Sequence, residues 1–170
     1  AFTAQRACFG QVTQFVNNSL QVSGPTSNPS IFRYEWNFGD RVGIQSTQAS
    51  PDYTYSNPGV YRVRLRIINE LQCQDTVSTL VTVSPLPIVR FENDDVCAGS
   101  PTSFTDRSNR ITPLGASLSR WTYYIISTGD SLTNQNDSYT FPQAGLYQVR
   151  LKVVDANGCQ SETTQAVRVN

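Results

Sequence analysis

The chain contains no histidine and no methionine, and Lys152 is its only lysine. Histidine is the commonest general base and the commonest metal ligand, so its absence excludes His-based triads and His zinc sites in this segment. The 13 Lys and Arg residues balance 13 Asp and Glu residues. This balance gives no reason to expect nucleic acid or an anionic membrane as a partner. We therefore predict a protein that is not an enzyme and that uses no cofactor and no metal.

Long apolar runs are missing as well. No run approaches the roughly 18 residues that a transmembrane helix needs, and no signal peptide is present, so no membrane insertion is predicted. Charged residues make up only 15% of the chain, whereas Ser, Thr, Asn and Gln are abundant. This composition is typical of exported β-rich proteins, and the absence of an initiating Met suggests a mature piece of a longer protein.

The sequence contains an internal repeat. Segments recur at spacings of 85 to 89 residues, and each of these pairs relates a position in the first half to one in the second: Cys8 and Cys97, Trp36 and Trp121, Tyr55 and Phe141, Tyr61 and Tyr147, Cys73 and Cys159. Two prolines in Ser84-Pro85-Leu86-Pro87 favour an extended, semi-rigid junction. We therefore predict two domains, residues 1–85 and 86–170.

Each half shows the pattern of short strands. Val63, Leu65 and Ile67 alternate with arginines, and the run from Val149 to Val153 alternates in the same way. A period of two places one set of side chains in a core and the other in solvent. About seven strands in 85 residues, with frequent turn signals, predict an all-β fold: two consecutive immunoglobulin-like antiparallel β-sandwiches.

A Gly-x-Tyr motif precedes the penultimate strand of each half, as Gly59-Val60-Tyr61 and Gly145-Leu146-Tyr147. This is the placement of a tyrosine corner, in which the phenol closes a turn between two sheets. A Trp on a middle strand has the same precedent, so Trp36 and Trp121 are predicted to be structural core residues.

Three motifs of the first half resemble the PKD (polycystic kidney disease type) domain in order and spacing: Trp36-Asn37-Phe38-Gly39-Asp40, Ser50-Pro51-Asp52-Tyr53-Thr54-Tyr55, and Pro58-Gly59-Val60-Tyr61-Arg62-Val63-Arg64-Leu65. The second half departs from the pattern because its hairpin before Gly129-Asp130 is five residues longer. The resemblance implies structural roles for the motif residues and for Phe141, Gly145 and Tyr147 in the second half.

Tandem PKD units of this kind are similar to those in long secreted and cell-surface proteins of bacteria, especially Bacteroidota-type adhesins and secreted enzymes. The resemblance implies an extracellular, non-catalytic spacer that displays or links other domains of the same protein. The alternative is an accessory module of a secreted hydrolase that binds a surface polysaccharide or a protein.

The four cysteines are better explained by disulfides than by a metal site, because no C-x-x-C pair exists. Three connectivities are open, and the repeat favours Cys8 with Cys73 and Cys97 with Cys159. A plain immunoglobulin strand order would place the members of each pair at opposite ends of the sandwich. Free or otherwise paired thiols are therefore the alternative.

Other charged residues have two interpretations each. Asp40 and Asp130 follow glycines in turns, where Asp side chains commonly bond nearby backbone, so we predict structural rather than catalytic roles. The run from Glu92 to Asp95 is either a solvated loop, which we favour, or a calcium loop. Three alternating arginines form either a solvated face that discourages edge pairing, with partners such as Glu35, or a clasp for an anionic polysaccharide: Arg62, Arg64 and Arg66.

Overall fold

The computed structural model describes residues 1–19 and 31–170. The chain divides into two compact units, Ala1–Ser84 (unit 1) and Pro85–Asn170 (unit 2). Within the described residues each unit contains seven strands and no helix. Accordingly, no helix in the described part of the chain has the length and apolarity to cross a bilayer.

Unit 1 consists of a three-stranded sheet in the order β1-β3-β5 and a four-stranded sheet in the order β2-β7-β6-β4. Its strands are β1 (Phe2–Ala4), β2 (Ala7–Cys8), β3 (Thr13–Asn17), β4 (Ile31–Asn37), β5 (Asp52–Tyr53), β6 (Gly59–Asn69) and β7 (Gln74–Ser84). All pairings are antiparallel except that between β2 and β7, which is parallel.

Unit 2 repeats this arrangement with a three-stranded sheet β12-β9-β8 and a four-stranded sheet β11-β10-β13-β14. Its strands are β8 (Phe91–Asn93), β9 (Pro101–Asp106), β10 (Leu118–Ile125), β11 (Asp130–Leu132), β12 (Asp137–Thr140), β13 (Gly145–Asp155) and β14 (Gln160–Val169). A single parallel bridge between Val96 and Val169 stands where unit 1 has β2.

The long hairpin at the end of each unit follows the alternation of its sequence. Val63 and Leu65 of β6 are buried, as are Val149, Leu151 and Val153 of β13. These side chains pack against aromatic residues from the three-stranded sheet, including Phe15 in unit 1 and Phe104 in unit 2. The prediction of an all-β fold of immunoglobulin-like, PKD-type sandwiches is thus confirmed.

Gly39 begins the turn after β4, where its backbone has a φ of +86°. A Cβ at this position would lie 2.6 Å from the carbonyl oxygen of Arg62 on the neighbouring strand β6. Gly43, in the same loop, also has a positive φ of +93°, but a Cβ there would meet no atom of residues 1–19 and 31–170 within 4 Å. A substitution at Gly43 therefore tests the backbone conformation alone, whereas a substitution at Gly39 tests backbone conformation and close packing together.

We expect Gly43→Ala to lower the free energy of unfolding by about 1 kcal/mol, because alanine resists a positive φ. Gly39→Ala should cost at least about 1 kcal/mol more, because the new methyl group also collides with the Arg62 backbone. Urea unfolding of the 1–170 chain, followed by near-ultraviolet circular dichroism, measures both values. Equal losses would contradict the close packing of Gly39 against β6.

Candidate functional site

The Gly-x-Tyr motifs form the same contact in both units. The Tyr61 hydroxyl donates to the Asn57 carbonyl at 2.7 Å, and the Tyr147 hydroxyl donates to the Gln143 carbonyl at 2.8 Å. In each case the acceptor lies four residues upstream, so the phenol ties the start of a long strand to the loop before it. This is the bond that a tyrosine corner makes. Gly59 fits closely under its tyrosine, because a Cβ there would lie 3.3 Å from the Tyr61 ring.

Aromatic stacking continues from each corner into the core. The rings of Tyr55 and Tyr61 stack with centroids 4.1 Å apart, and those of Phe141 and Tyr147 lie 4.2 Å apart. Tyr55 is only 2% exposed, and its hydroxyl donates to the Phe38 carbonyl at 3.1 Å. Burial raises the pKa of Tyr55, and nearby Asp40 adds to the effect. Tyr55 therefore remains a neutral hydrogen-bond donor.

Asp40 lies after β4 of the four-stranded sheet and accepts a hydrogen bond of 2.7 Å from the Tyr53 hydroxyl on β5 of the other sheet. Gln45 Nε2 donates to the second carboxylate oxygen at 2.7 Å. Partial burial raises the pKa of Asp40, but the bonds from Gln45 and Tyr53 outweigh it, so the pKa is lowered overall. The pKa of Tyr53 is raised, by burial and by its bond to Asp40. The hydrogen bond between Asp40 and Tyr53 thus connects the two sheets, and a pair of this kind is called an Asp–Tyr tie below.

Unit 2 contains the same tie. The Tyr139 hydroxyl on β12 donates to Asp130 on β11 at 2.5 Å, and these strands again belong to different sheets. The bond from Tyr139 is the largest influence on Asp130 and lowers its pKa, and the pKa of Tyr139 is raised in return. Both aspartates have structural partners, but these partners are side chains of the opposite sheet rather than only nearby backbone.

Sequence reasoning missed this tie because the two spacings differ. Tyr53 and Tyr139 are 86 residues apart, whereas Asp40 and Asp130 are 90 apart, so the aspartates do not align in the repeat. The sequence did carry one signal for it: a tyrosine stands two residues before the buried aromatic residue in both halves, as Tyr53 before Tyr55 and Tyr139 before Phe141.

The two tryptophans are not equivalent, contrary to the repeat alignment. Trp36 is fully buried and pairs with Leu65, whereas in unit 2 it is Tyr123 that is fully buried and pairs with Leu151. Trp121 lies two residues earlier and packs only at the margin of the core. Its indole Nε1 donates to Asp106 at 2.8 Å. The prediction that Trp121 takes the place of Trp36 is wrong, because strand register rather than residue type decides which side chain enters the core.

The predicted disulfide pairing is also wrong. Cys73 and Cys97 are free and exposed, whereas Cys8 and Cys159 are each disulfide-bonded. Cys8 pairs with Ser84 at the end of β7, but Cys73 directly precedes Gln74 at the start of that strand. The two are therefore separated by about 30 Å of strand, whereas a disulfide requires Cα atoms within about 7 Å.

The same geometry separates the cysteines of unit 2. The bridge between Val96 and Val169 places Cys97 at the end of β14, whereas Cys159 directly precedes the first residue of that strand. Folding into two sheets does not shorten this distance, because Cys97 and Cys159 lie at opposite ends of the same strand, β14.

Several of the charged residues named in the sequence analysis form ion pairs. Arg66 lies 3.3 Å from the buried carboxylate of Glu35, which also pairs with Arg33 at 2.7 Å. The prediction that Glu35 is a partner of the arginines is confirmed for Arg66. The prediction that the arginines protect a sheet edge is wrong, because their strand β6 lies between β4 and β7.

In the acidic run from Glu92 to Asp95, Glu92 pairs with Arg107 at 2.9 Å. No group of three or more His, Cys, Asp or Glu side chains suited to a metal occurs among residues 1–19 and 31–170.

These features define a protein module of immunoglobulin-like β-sandwiches in which motif side chains bond to each other. The PKD domain family model matches residues 3–83, nearly all of unit 1. The chain is 27% identical over 151 residues to the collagenase ColA of Bacillus cereus, covering 86% of this chain and 13% of ColA. It is 26% identical over 154 residues to the pre-pro-metalloprotease PrtV of Vibrio cholerae, covering 88% of this chain and 16% of PrtV.

Among solved structures, the chain is similar to the PKD1 domain of Vibrio anguillarum Epp, with 24% identity and a TM-score of 0.44 over 50% of this chain and 94% of that one. It is also similar to the fibronectin(III)-like modules of Clostridium thermocellum CbhA, with 12% identity and a TM-score of 0.46 over 100% of this chain and 94% of that one. The chain spans less than a fifth of the curated relatives it matches.

The Asp–Tyr ties predict opposite pH dependences for their two members. The lowered pKa of Asp40 means that its contribution to stability is present above the ordinary value of 3.8 and is lost as pH falls through the folded pKa. The raised pKa of Tyr53 means that its contribution is present below 10.0 and is lost as pH rises through the folded pKa. The tie therefore stabilises unit 1 across the neutral range.

We expect Tyr53→Phe to lower the free energy of unfolding by about 1 kcal/mol at pH 7, since it removes one hydrogen bond to a partly solvated carboxylate. It should raise the pKa of Asp40 only in part, because Gln45 still donates. The matched variant Tyr139→Phe should return the pKa of Asp130 most of the way to its ordinary value, because Tyr139 is the main cause of its shift. Carboxyl titrations by NMR measure both, and an unchanged Asp130 pKa would contradict the tie.

A second prediction concerns the thiols. Native alkylation of the unreduced 1–170 chain should label Cys73 and Cys97, because both are free and exposed, and should label Cys8 and Cys159 only after reduction. Peptide mass spectrometry identifies the sites. Labelling of all four cysteines before reduction would contradict the assignment.

Proposed function

We propose that both units are PKD domains, each folding as its own domain, and that they form a non-catalytic extracellular spacer within a longer secreted or cell-surface protein. In this role the chain carries mechanical load and links or displays neighbouring domains. A Bacteroidota source remains a prediction from the resemblance alone, since the relatives reported above come from Bacillus and Vibrio.

The observation that carries the proposal is the parallel pairing of a segment near the start of each unit with that unit's last strand. In unit 1, Ala7 and Cys8 of β2 pair in parallel with Val83 and Ser84 of β7. When the start of β2 and the end of β7 are pulled apart, the two parallel strands slide against each other. Their hydrogen bonds then share the load instead of opening one at a time.

Unit 2 closes in the same way. The Val96 to Val169 bridge is parallel, and two backbone bonds flank it, from the Ala98 N–H to the Asn170 carbonyl at 2.8 Å and from the Asn170 N–H to the Val96 carbonyl at 2.9 Å. The parallel closure is therefore common to both units.

The polar side chains of the motifs support a non-catalytic role. The groups with a shifted pKa bond within their own unit: Asp40 to Tyr53, Tyr55 to Phe38, Tyr61 to Asn57, Tyr123 to Gln135 and Asp130 to Tyr139. A general acid or base must have a reactive atom available to a substrate. These groups use their polar atoms in hydrogen bonds within their own unit.

A second candidate, an accessory module of a secreted hydrolase, is favoured by the names of the relatives, which are a collagenase and a metalloprotease. Such a module would bind a protein or a polysaccharide. The exposed Arg62 and Arg64 on β6 are the residues that we would assign to an anionic ligand, since Arg66 is already paired with Glu35.

Single-molecule stretching of the reduced 1–170 chain should give two separate unfolding events. Each should release about 300 Å of chain, because some 85 residues extend by about 3.6 Å each. Phe9→Pro should lower the unfolding force of one unit and cost about 1 kcal/mol, because it removes the Phe9 N–H that donates to the Ser84 carbonyl at 2.8 Å.

Phe9→Ala is the matched control, since it removes the side chain and keeps the donor. An equal loss of force in both variants would show that the parallel closure does not resist load. Retention of the chain on insoluble collagen or polysaccharide, abolished by replacing Arg62 and Arg64 with glutamine, would favour the second candidate instead.

A further inference from the structure

The last strand of unit 1 has an open side. In the four-stranded sheet, β7 lies between β6 and β2. β6 pairs with β7 from Gln74 to Val83, whereas β2 pairs with Val83 and Ser84. Among residues 1–19 and 31–170 no other strand pairs with β7, so residues 76–82 have an unpaired side, here called the open edge. At about 3.3 Å per residue, this edge is about 20 Å long.

The hydrogen-bonding groups on the open edge belong to alternate residues. The Phe9 N–H donates to the Ser84 carbonyl at 2.8 Å, so the backbone groups of Ser84 point toward the β2 side. In an antiparallel strand, the direction of these groups alternates from one residue to the next. Leu80 and Ser78 therefore point their N–H and C=O groups to the open edge. Groups of this kind are a template for a further strand.

The open edge lacks the features that keep an edge strand from pairing with another chain. Such features are charged side chains, prolines and β-bulges. Residues 76–82 are Thr, Val, Ser, Thr, Leu, Val and Thr, and their register with β6 contains no bulge. Leu80 is 59% exposed. The edge therefore carries no residue that would oppose an added strand.

A groove of about 390 Å³ runs beside the open edge, between β7 and the segment from Phe2 to Arg6. Thr79 has the same orientation along β7 as the buried Val81, yet it is exposed because the groove opens beside it. Gln165 is the residue of unit 2 that aligns with Thr79, and its Nε2 donates to Asn93 Oδ1 on the other sheet at 3.2 Å. Side chains thus bridge this space in unit 2, whereas it is open in unit 1.

Charges of opposite sign stand at the two ends of the open edge. Asp75 directly precedes the edge, and its carboxylate accepts a bond of 2.8 Å from the Thr76 N–H, which holds it at that end. Arg6 stands at the other end, directly before β2. A second copy of the edge that runs antiparallel brings each Asp75 next to the Arg6 of the other chain, whereas a parallel copy brings like charges together. The edge is therefore complementary to itself in the antiparallel orientation.

We propose that unit 1 binds a second copy of itself through β7, so that two four-stranded sheets join into one sheet of eight strands. Backbone groups must point at each other to form a hydrogen-bonded pair, which places Ser78 opposite Leu80 of the second chain. The two-fold axis then passes beside Thr79, and the two Leu80 side chains become diagonal neighbours at about 7–8 Å. Symmetry gives two such pairs with two hydrogen bonds each, so about four bonds link the chains.

The association is weak, because an edge of about 20 Å offers less area than a stable interface requires. It is strengthened where many chains are held side by side, since this raises their effective concentration. The inference goes beyond the proposed function: it adds a lateral contact between chains, and it holds whether or not the chain carries load.

Sedimentation velocity of the 1–170 chain measures the association from about 10 μM to about 1 mM, the upper value being the effective concentration that short linkers give. All samples carry Cys73→Ser and Cys97→Ser, which exclude dimers joined through the free thiols. We expect a monomer–dimer equilibrium within this range. A chain that remains monomeric at the highest concentration would overturn the proposal.

Ser78→Pro removes the Ser78 N–H from the open edge and keeps the pairing with β6. Because symmetry removes this donor twice, we expect the Kd of the dimer to rise at least about tenfold. Ser78→Ala keeps the donor and should leave the Kd unchanged. Thr164→Pro, at the aligned position of β14, should also leave it unchanged. Equal effects of the two Ser78 variants, or of the two prolines, would contradict pairing through β7.

A charge exchange tests the orientation and does not depend on the folding of a proline variant. Asp75→Arg and Arg6→Asp change exposed side chains, and each alone should weaken the dimer at least about threefold, because like charges then meet twice in the symmetric pair. The double variant should recover the original Kd, since opposite charges meet again. A double variant as weak as the single variants would overturn the antiparallel register.

Discussion

The length of the final hairpin in each unit determines most of the other features. β6 and β7 pair over ten residue positions, as do β13 and β14, and these strands carry the buried valines and leucines of the core. One end of the hairpin is its turn, and at the other end the last strand pairs with the N-terminal segment. The separation of these ends keeps the two cysteines of a unit apart and places the parallel closure where the chain leaves the unit.

Hydrogen bonds of tyrosine side chains stabilise each sandwich in addition to the long hairpin. The tyrosine corner fixes the loop that precedes the long strand, and the Asp–Tyr tie joins the two sheets beside the same aromatic residues. Each of these bonds uses a phenol hydroxyl, which can be half-buried because its ring contributes apolar area while its oxygen is satisfied. The motif tyrosines are therefore best understood as connections between layers.

The sequence predicted the features that depend on local pattern and missed those that depend on register. Alternation along β6 and β13 was sufficient to predict strands, and the Gly-x-Tyr motif was sufficient to predict where the tyrosine hydroxyls bond. Trp121 and the cysteine pairs were misassigned for a common reason. An alignment of repeats shows that residues correspond, but it does not show which residue faces the core or how far apart two positions lie.

The differences between the units show which contacts the fold requires. The segment between the middle strand and the Gly-Asp turn is longer in unit 2, yet Asp130 still meets Tyr139 as Asp40 meets Tyr53. Unit 2 also has β11 paired to β10, whereas among the described residues of unit 1 a bridge between Trp36 and Ser46 stands at the comparable edge. Strand pairing at this edge thus varies, while the bond between the sheets is kept. We infer that the sandwich accepts changes in loop length and in edge pairing as long as the carboxylate still reaches the tyrosine of the other sheet, because an unpaired strand edge can hydrogen-bond to water.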